Sequence, residues 1–455
     1  MKLYLANKWD ELSTSFWFVP STMVLVAIGL SLATLQFDTF GTSQKWLATL
    51  GWTFLRGPEG SRAVLSAVAG SMMTIASVTF SITIVALQLA SSQFGPRLLR
   101  NFMRDLGNQI SIGTFIATFT YCLLILRTIN GTEQGEFVPH LSVTVGLVLS
   151  LVSLGVFIYF IHHSAESIQA ENVIAGVSRE LHRAIDRLYP DDLGRDQPGT
   201  AAQPPKLDLP ENFERDSMPV AATVSDYLQA IDVDRLLALA EEHDLILAVK
   251  QRPGKFFFEG GSLMLAWPAS RVDDSIIAAL RGTFYFGTRR TLTQDVEFAI
   301  DQLVEVAVRA LSPGVNDPFT AINCVERLGA ALCKFSDKSI PSSFRYDEQG
   351  RLRVVTDAST IRGIVDDTLD QIRQAARSDA AVTIRLLETI EAVGHHTKNP
   401  EFRTALRRQA DAIFRGSQEG LADSQDRKDA EQRHREAIRA LDGGADALKS
   451  TPVKP

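Results

Sequence analysis

The stretch TFSITIVALQLASSQFGPRLL, residues 79–99, decides the fold class, because it is apolar enough to cross a bilayer and yet carries polar side chains. Its hydroxyls and amide stand at Thr79, Ser81, Thr83, Gln88, Ser91 and Ser92. A membrane helix needs about 20 apolar residues. Lipid offers no hydrogen-bond partner to such polar groups. The stretch therefore predicts a membrane span and raises the question of what a polar row does inside it.

Four long apolar runs stand in the first part of this 455-residue chain, and the rest has the charge density of a soluble protein. The runs cover residues 16–36, 63–92, 110–126 and 141–161. We therefore predict an α-helical membrane protein with four transmembrane helices in residues 1–162, embedded in the lipid bilayer. The first run is too long for a signal-peptide core, so we expect it to stay in the mature protein.

The basic residues of the short links predict how the spans are oriented. The link 93–109 contains Arg97, Arg100 and Arg104, whereas the link 127–140 contains only Arg127. Basic links favour the cytoplasmic side. We expect a multi-pass membrane protein with both termini and the 93–109 link in the cytoplasm.

The sequence after the spans predicts a cytoplasmic α+β domain that contains a small β-module and a helical bundle. We expect the fourth span to continue without a break as a stalk helix at 163–189, followed by a proline-rich linker at 190–219. Alternating segments predict the β-module at 220–268, and helical periodicity predicts the bundle at 269–415. Residues 416–455 resemble a charged, partly disordered tail.

Composition and motifs exclude several classes of function. The net charge of −7 argues against nucleic acid as a partner. The three cysteines form no CxxC pair, which fits a reducing cytosol. The pair His162 and Glu166 lacks a third metal ligand. Because the sequence contains no phosphate-binding loop, nucleophile elbow or zinc-protease motif, we expect no cofactor, no metal and no enzyme activity.

A polar row on the second span is the first candidate site. As a helix, this span places five polar residues on one face: Thr74, Ser77, Ser81, Gln88 and Ser91. One interpretation is close helix packing, because small and hydroxylated residues let helix backbones approach. The other is a water-filled path, since polar side chains at membrane depth usually face a cavity or the bundle interior. With no acid or base between Ala63 and Gln93, passive permeation is favoured over proton relay.

Arg97, Arg100 and Arg104 follow the Gly95-Pro96 break at the end of this span, spaced so that a helix would present them together. They form either a collar that contacts lipid phosphates or a basic vestibule that concentrates anions at a pore mouth.

The sharpest motif in the polar part of the chain is ALSPGVNDPFTAI, residues 310–322. Gly314 suits a helix C-terminus, Asp317 an N-cap and Pro318 the first helical position. This predicts a turn between two helices and leaves Ser312 and Asn316 unexplained. The functional alternative is that Ser312, Asn316 and Asp317 mark a site for an anionic ligand or another subunit.

Three motifs together give a family resemblance. FSITIVALQLASSQFGPRLLRNFMRD (80–105), YFIHHSAESIQ (159–169) and RALSPGVNDPFTAI (309–322) resemble the bacterial predicted membrane proteins grouped as domain of unknown function 2254. The resemblance extends from the first span to about residue 415. It implies an inner-membrane protein with a soluble C-terminal region, and it supplies no activity and no catalytic residues.

Taken together, the residues favour a homo-oligomeric channel or pore-like protein through which ions permeate, gated by its cytoplasmic domain. Four spans enclose little space alone, so we expect the path around a symmetry axis. The alternative is a membrane-anchored sensor or scaffold with a ligand or partner site on the cytoplasmic domain and no transport.

Overall fold

The computed structural model describes residues 15–40, 57–95, 105–132, 135–189 and 209–443. The chain divides into two compact units, residues 1–173 and 174–455. Each unit has its own elements and core.

The first unit is built on four helices that are long and apolar enough to cross a membrane, as the sequence predicted. They are α1 (Phe18–Thr39), α2 (Pro58–Phe94), α3 (Leu106–Leu126) and α4 (His140–Ser167). Helix α3 is central, because it contacts the other three and is the most buried of the four. A short antiparallel pair, β1 (Asn130–Thr132) and β2 (Gly135–Phe137), lies between α3 and α4.

Side chains fill the centre of this unit. The large side chains Leu65, Phe115, Tyr121 and Phe160 have no solvent exposure. On α2 the buried positions recur every three or four residues, which is the period of one helix face: Leu65, Ala69, Met72, Ala76, Thr79, Thr83, Ala86 and Ala90. Most of them are small, so α3 and α4 can pack closely against α2.

The predicted continuous stalk helix is interrupted. Helix α4 ends at Ser167 and α5 (Ala170–Leu188) begins after two residues. The side-chain amide of Asn172 donates to the carbonyl oxygen of Glu166 at 2.8 Å. A side chain thus bonds a carbonyl at the end of α4, and such local bonds compete with helix continuation. The sequence shows no Gly or Pro at this point, so periodicity alone missed the break.

The second unit contains two β-sheets. Its strands are β3 (Met218–Ala221), β4 (Asp226–Ile231), β5 (Ile246–Val249), β6 (Phe256–Phe257), β7 (Ser262–Trp267), β8 (Phe284–Gly287), β9 (Phe344–Tyr346) and β10 (Leu352–Val355). One sheet has the order β3-β7-β5-β10-β9 and the other β6-β4-β8. All pairs are antiparallel except β5 with β10.

The strands draw on more of the chain than the predicted β-module at 220–268. Strands β8, β9 and β10 come from the segment 269–415 that was predicted as the helical bundle, where only RLRVV (351–355) suggested a strand, and β10 inserts beside β5. Two short helices, α6 (Val233–Glu242) and α7 (Asp274–Arg281), contribute Leu236 and Leu280 to the same apolar core as the strands. Pairing of distant strands completes this core, which local patterning cannot reveal.

Six further helices form the bundle: α8 (Glu297–Ala310), α9 (Pro318–Ser336), α10 (Ile361–Ala375), α11 (Ala380–His396), α12 (Pro400–Gly420) and α13 (Ser424–Asp442). Their contacts run in a ring, α8 to α9, α11, α13, α12, α10 and back to α8. Helix α13 lies in the segment that was expected to be a charged tail. It packs through Ala430, Ala437, Ala440 and Leu441, a stripe too small in volume to stand out in the sequence.

Candidate functional site

The polar row of α2 lies on the outside of the first unit. Thr74, Ser77, Ser81 and Gln88 are all exposed, and Ser91 is half-buried. At 100° per residue, the centre of this row lies roughly 145° around the helix from the centre of the buried row. Among the described residues, Thr74, Ser77, Ser81 and Gln88 therefore lie on the side of α2 away from the packed face, and the half-buried Ser91 lies nearer to that face.

Three hydroxyl groups of the row form hydrogen bonds within their own helix. Thr74, Ser77 and Ser81 each donate to the carbonyl oxygen four residues earlier, at 3.0, 2.9 and 2.9 Å. Such bonds let a hydroxyl lie in lipid at little cost. The side-chain amide of Gln88 differs, because it forms no hydrogen bond with the part of the chain that the structure describes. It needs water or another protein surface.

Arg97, Arg100 and Arg104, the predicted basic mouth, lie outside the described residues. The helix before them ends at Phe94, and Gly95 follows with φ of 102°. This left-handed conformation suits glycine.

A second polar cluster, missed by the sequence analysis, joins α1 to α4. The Asp38 carboxylate accepts bonds from the backbone N–H groups of Leu141 and Ser142 at 3.0 and 2.9 Å and from the Ser142 hydroxyl at 2.7 Å. A carboxylate at the positive end of a helix is stabilising. The Tyr121 hydroxyl donates to the Ser142 carbonyl and lies 3.0 Å from the hydroxyl of Thr34. Asp38 therefore fixes the start of α4.

At the other end of α3, the described residues bring Asp105 and His163 together. Asp105 caps α3, accepting from the Asn108 N–H at 3.1 Å, and both its oxygens lie within 2.9 Å of His163 Nε2. The His163 ring stacks on Tyr159. The neighbouring pair His162 and Glu166, 3.3 Å apart, is exposed. The histidine in the half-buried contact is thus His163, whereas the metal pair considered from the sequence was His162 with Glu166.

In the second unit, the turn 311–317 has the predicted capping chemistry. Asp317 caps α9, accepting from the N–H and the hydroxyl of Thr320 at 3.2 and 2.6 Å, and Pro318 begins the helix. The Ser312 hydroxyl donates to the Arg309 carbonyl at 2.6 Å. The left-handed residue is Asn316, with φ of 51°, rather than the predicted Gly314. This accounts for Ser312 and Asn316 as parts of the turn.

The second unit also contains a network of half-buried charges where the loop after β5 meets α8. Glu297 is buried and accepts from Arg252 at 2.6 and 3.0 Å, from Lys255 at 3.4 Å and from Ser359 at 3.1 Å. Burial pushes the pKa of the Glu297 carboxyl upward, but the charges of Arg252 and Lys255 outweigh it and hold that pKa below its ordinary value. Asp357 pairs with the other edge of Arg252 at 3.2 Å. The network fixes the loop to the bundle.

Comparison with known proteins agrees with this architecture. The family described as "Predicted membrane protein (DUF2254)" matches residues 13–392. Two proteins described as uncharacterized, one from Mycobacterium bovis and one from Mycobacterium tuberculosis, are each 32% identical over 428 residues. The alignment covers 92% of this chain and 79% of each relative. No solved structure matches this chain. The four candidate spans and this match show that the chain belongs to the DUF2254 family of predicted membrane proteins.

Proposed function

We propose that the chain is a homo-oligomeric protein of the bacterial inner membrane, through which ions permeate along a path lined by the exposed polar row of α2. The observation that carries this proposal is the position of Thr74, Ser77, Ser81 and Gln88 on the face of α2 that no other described span covers. Arg97, Arg100 and Arg104 would stand at the cytoplasmic mouth, and the second unit would gate the path from the cytoplasm.

The dense interior of the first unit favours a path between subunits rather than within one. The side chains of Leu65, Phe115 and Tyr121 are fully buried at the centre of the helices. A water-filled path needs an open lumen, which such close packing does not leave. Copies arranged about a symmetry axis would enclose a lumen, and α2 would turn its polar face to that axis.

Distances along α2 support this assignment of roles. Arg62 donates to the Ile129 carbonyl at 2.5 Å beside one end of the spans. At 1.5 Å per residue, Ser81 lies about 28 Å along the helix from Arg62, and Gln88 about 39 Å. The hydrocarbon is about 30 Å thick. The hydroxyls would therefore line the membrane depth, whereas Gln88 would stand near the cytoplasmic surface, where a path opens to water.

A second candidate function rests on the turn 311–317. Val315 in this turn and Phe319 at the start of α9 are 43% and 83% exposed, and neighbouring exposed apolar side chains can form a protein-binding surface. This favours a membrane-anchored scaffold that binds a partner protein at the turn and conducts nothing. In that case the polar row of α2 would serve only contacts between subunits.

Ion flux through full-length protein in liposomes tests the first function. We expect flux in the native protein and its loss in Ser81→Leu and Gln88→Leu, because an apolar leucine side chain would exclude water from the path. The matched control is Val78→Leu, which places the same leucine side chain at an exposed position off the polar row. Flux that persists in both row variants, or none in the folded native oligomer over a range of salts and voltages, refutes the pore.

Thiol labelling separates a wet path from a dry contact. Cys122 and Cys324 are buried, so replacing the half-buried Cys333 by alanine gives a background with little reactivity. In that background we expect a charged, membrane-impermeant thiol reagent to modify Ser77→Cys and Ser81→Cys but not Val78→Cys. Equal protection at all three positions would favour subunit packing or lipid.

A further inference from the structure

We propose that the second unit has a pocket that binds a small zwitterion, a free amino acid with a short apolar side chain. The pocket has a volume of about 130 Å³. Its polar walls carry Arg345, Asp357 and Arg252, and its apolar wall carries Ile231, Val233 and Val249. Pockets for drug-sized ligands are larger, about 300–1,000 Å³. This inference does not depend on whether the spans conduct ions.

Arg345 provides the carboxylate site. Its Nη1 donates to the carbonyl oxygens of Ser342 and Phe344 at 2.5 and 3.1 Å, and it has no carboxylate partner among the residues that the structure describes. A guanidinium is always charged and offers a planar fork that matches a carboxylate. The remaining donors of this half-buried cation are therefore suited to an anion that the chain itself does not supply.

Asp357 provides the ammonium site. Its Oδ2 accepts from the backbone N–H and Nη1 of Arg252 at 3.3 and 3.2 Å, and Glu297 holds the other edge of Arg252. Arg252 is therefore already neutralised by the chain. The carboxylate of Asp357 is still 37% exposed, so its other oxygen is free to accept bonds from a ligand ammonium.

The rest of the lining limits the size and polarity of the ligand. Gln294 is occupied, because its amide exchanges two hydrogen bonds with the backbone of Ile231 at 2.9 and 3.0 Å. Ile231, Val233 and Val249 offer an apolar surface for the body of the ligand, and the remaining lining residues are Gln251, Pro253 and Thr356, whose hydroxyl donates to the Ser343 carbonyl at 3.2 Å. A molecule with separated positive and negative groups and a small apolar side chain matches all three walls, whereas a simple anion matches only one.

Calorimetric titration of the full-length protein in detergent, with L-alanine as the probe, tests the proposal. We expect saturable binding that Arg345→Ala weakens by roughly 10- to 100-fold, the effect of losing hydrogen bonds to a charged group. Arg345→Lys should recover only part of the affinity, because it keeps the charge without the fork. The matched control Arg327→Ala removes an exposed arginine on α9 outside the pocket and should bind like the native protein.

A variant that fills the pocket and two ligands with a single charge extend this test. Val233→Phe fills the pocket without removing a charge, so it should abolish binding while the thermal unfolding midpoint stays near the native value. Acetate and methylamine each carry one of the two charges, and we expect each to bind at least 10-fold more weakly than alanine. The proposal is overturned if alanine does not bind, if Arg345→Ala and Val233→Phe leave its affinity unchanged, or if inorganic phosphate binds and alanine does not.

Discussion

Asp367 gives the sharpest prediction, because the fold places this carboxyl beside two others. It lies half-buried on α10, and its carboxyl interacts with the charges of Glu297, Asp301, Lys255 and Arg252. Burial first, and then the negative charges of Glu297 and Asp301, raise the pKa of Asp367 to about 6. We predict that Asp367→Asn stabilises the second unit at neutral pH.

The sign and the size of this stabilisation follow from the linkage between protonation and folding. An acid whose pKa is higher in the folded than in the unfolded state costs stability as pH rises through the interval between the two values. From the ordinary 3.8 to about 6, the cost reaches about 3 kcal/mol, at 1.36 kcal/mol per factor of ten. Solvent screening at a partly exposed side chain reduces this to about 1.5 kcal/mol. The same relation leaves about half of that cost at pH 5.

Urea unfolding of the full-length protein in detergent, followed by the fluorescence of Trp267, measures this difference. The other four tryptophans lie within the first 52 residues, so Trp267 reports the second unit. Asp366→Asn is the matched control, because Asp366 accepts from Gln409 at 2.7 Å and pairs with Arg408. The control substitution Asp366→Asn should lower the free energy of unfolding of the second unit. Equal stability of Asp367→Asn and native protein at pH 7.5, or a gain that does not shrink at pH 5, would refute the reasoning.

Three further predictions concern folding. Glu297→Gln should lower the free energy of unfolding of the second unit by about 2 kcal/mol in the same urea assay, because Arg252 keeps only Asp357 as a charged partner. Asp38→Ala should destabilise the first unit by about 1 kcal/mol through loss of the N-terminal bonds of α4, measured as a lower thermal midpoint in detergent. Ala76→Leu should cost about 1–3 kcal/mol by overpacking the buried face of α2, read from the same midpoint.

The parts of the fold that sequence reasoning predicted are those set by local periodicity. Four apolar runs became four helices, and the caps at Asp317 and Pro318 lie where their residue types require. The five-residue polar row of α2 was also visible, because helical spacing alone puts its members on one face. Helical spacing alone did not predict which face of α2 packs inside the unit, because that depends on its partners α3 and α4.

The parts that sequence reasoning missed depend on pairs far apart in the chain or on small side chains. Asp38 meets Ser142 across 104 residues, and Arg252 meets Asp357 across 105. Nothing in either local pattern specifies the partner. Helix α13 was missed for another reason: its buried stripe is mostly alanine, which has too little apolar surface to distinguish a packed helix from a charged tail.

The two opposite faces of α2 make its function testable separately from its folding. The face that holds the unit together carries Ala76 and Thr79, which are buried, whereas Ser81 and Gln88 are exposed. Replacing Ser81 by leucine removes only a bond within its own helix, and leucine is favoured in lipid. Such a variant should insert and fold like the native chain. A loss of flux in a Ser81→Leu variant that still forms the native oligomer can therefore be assigned to the path itself, while the same loss in Ala76→Leu could not.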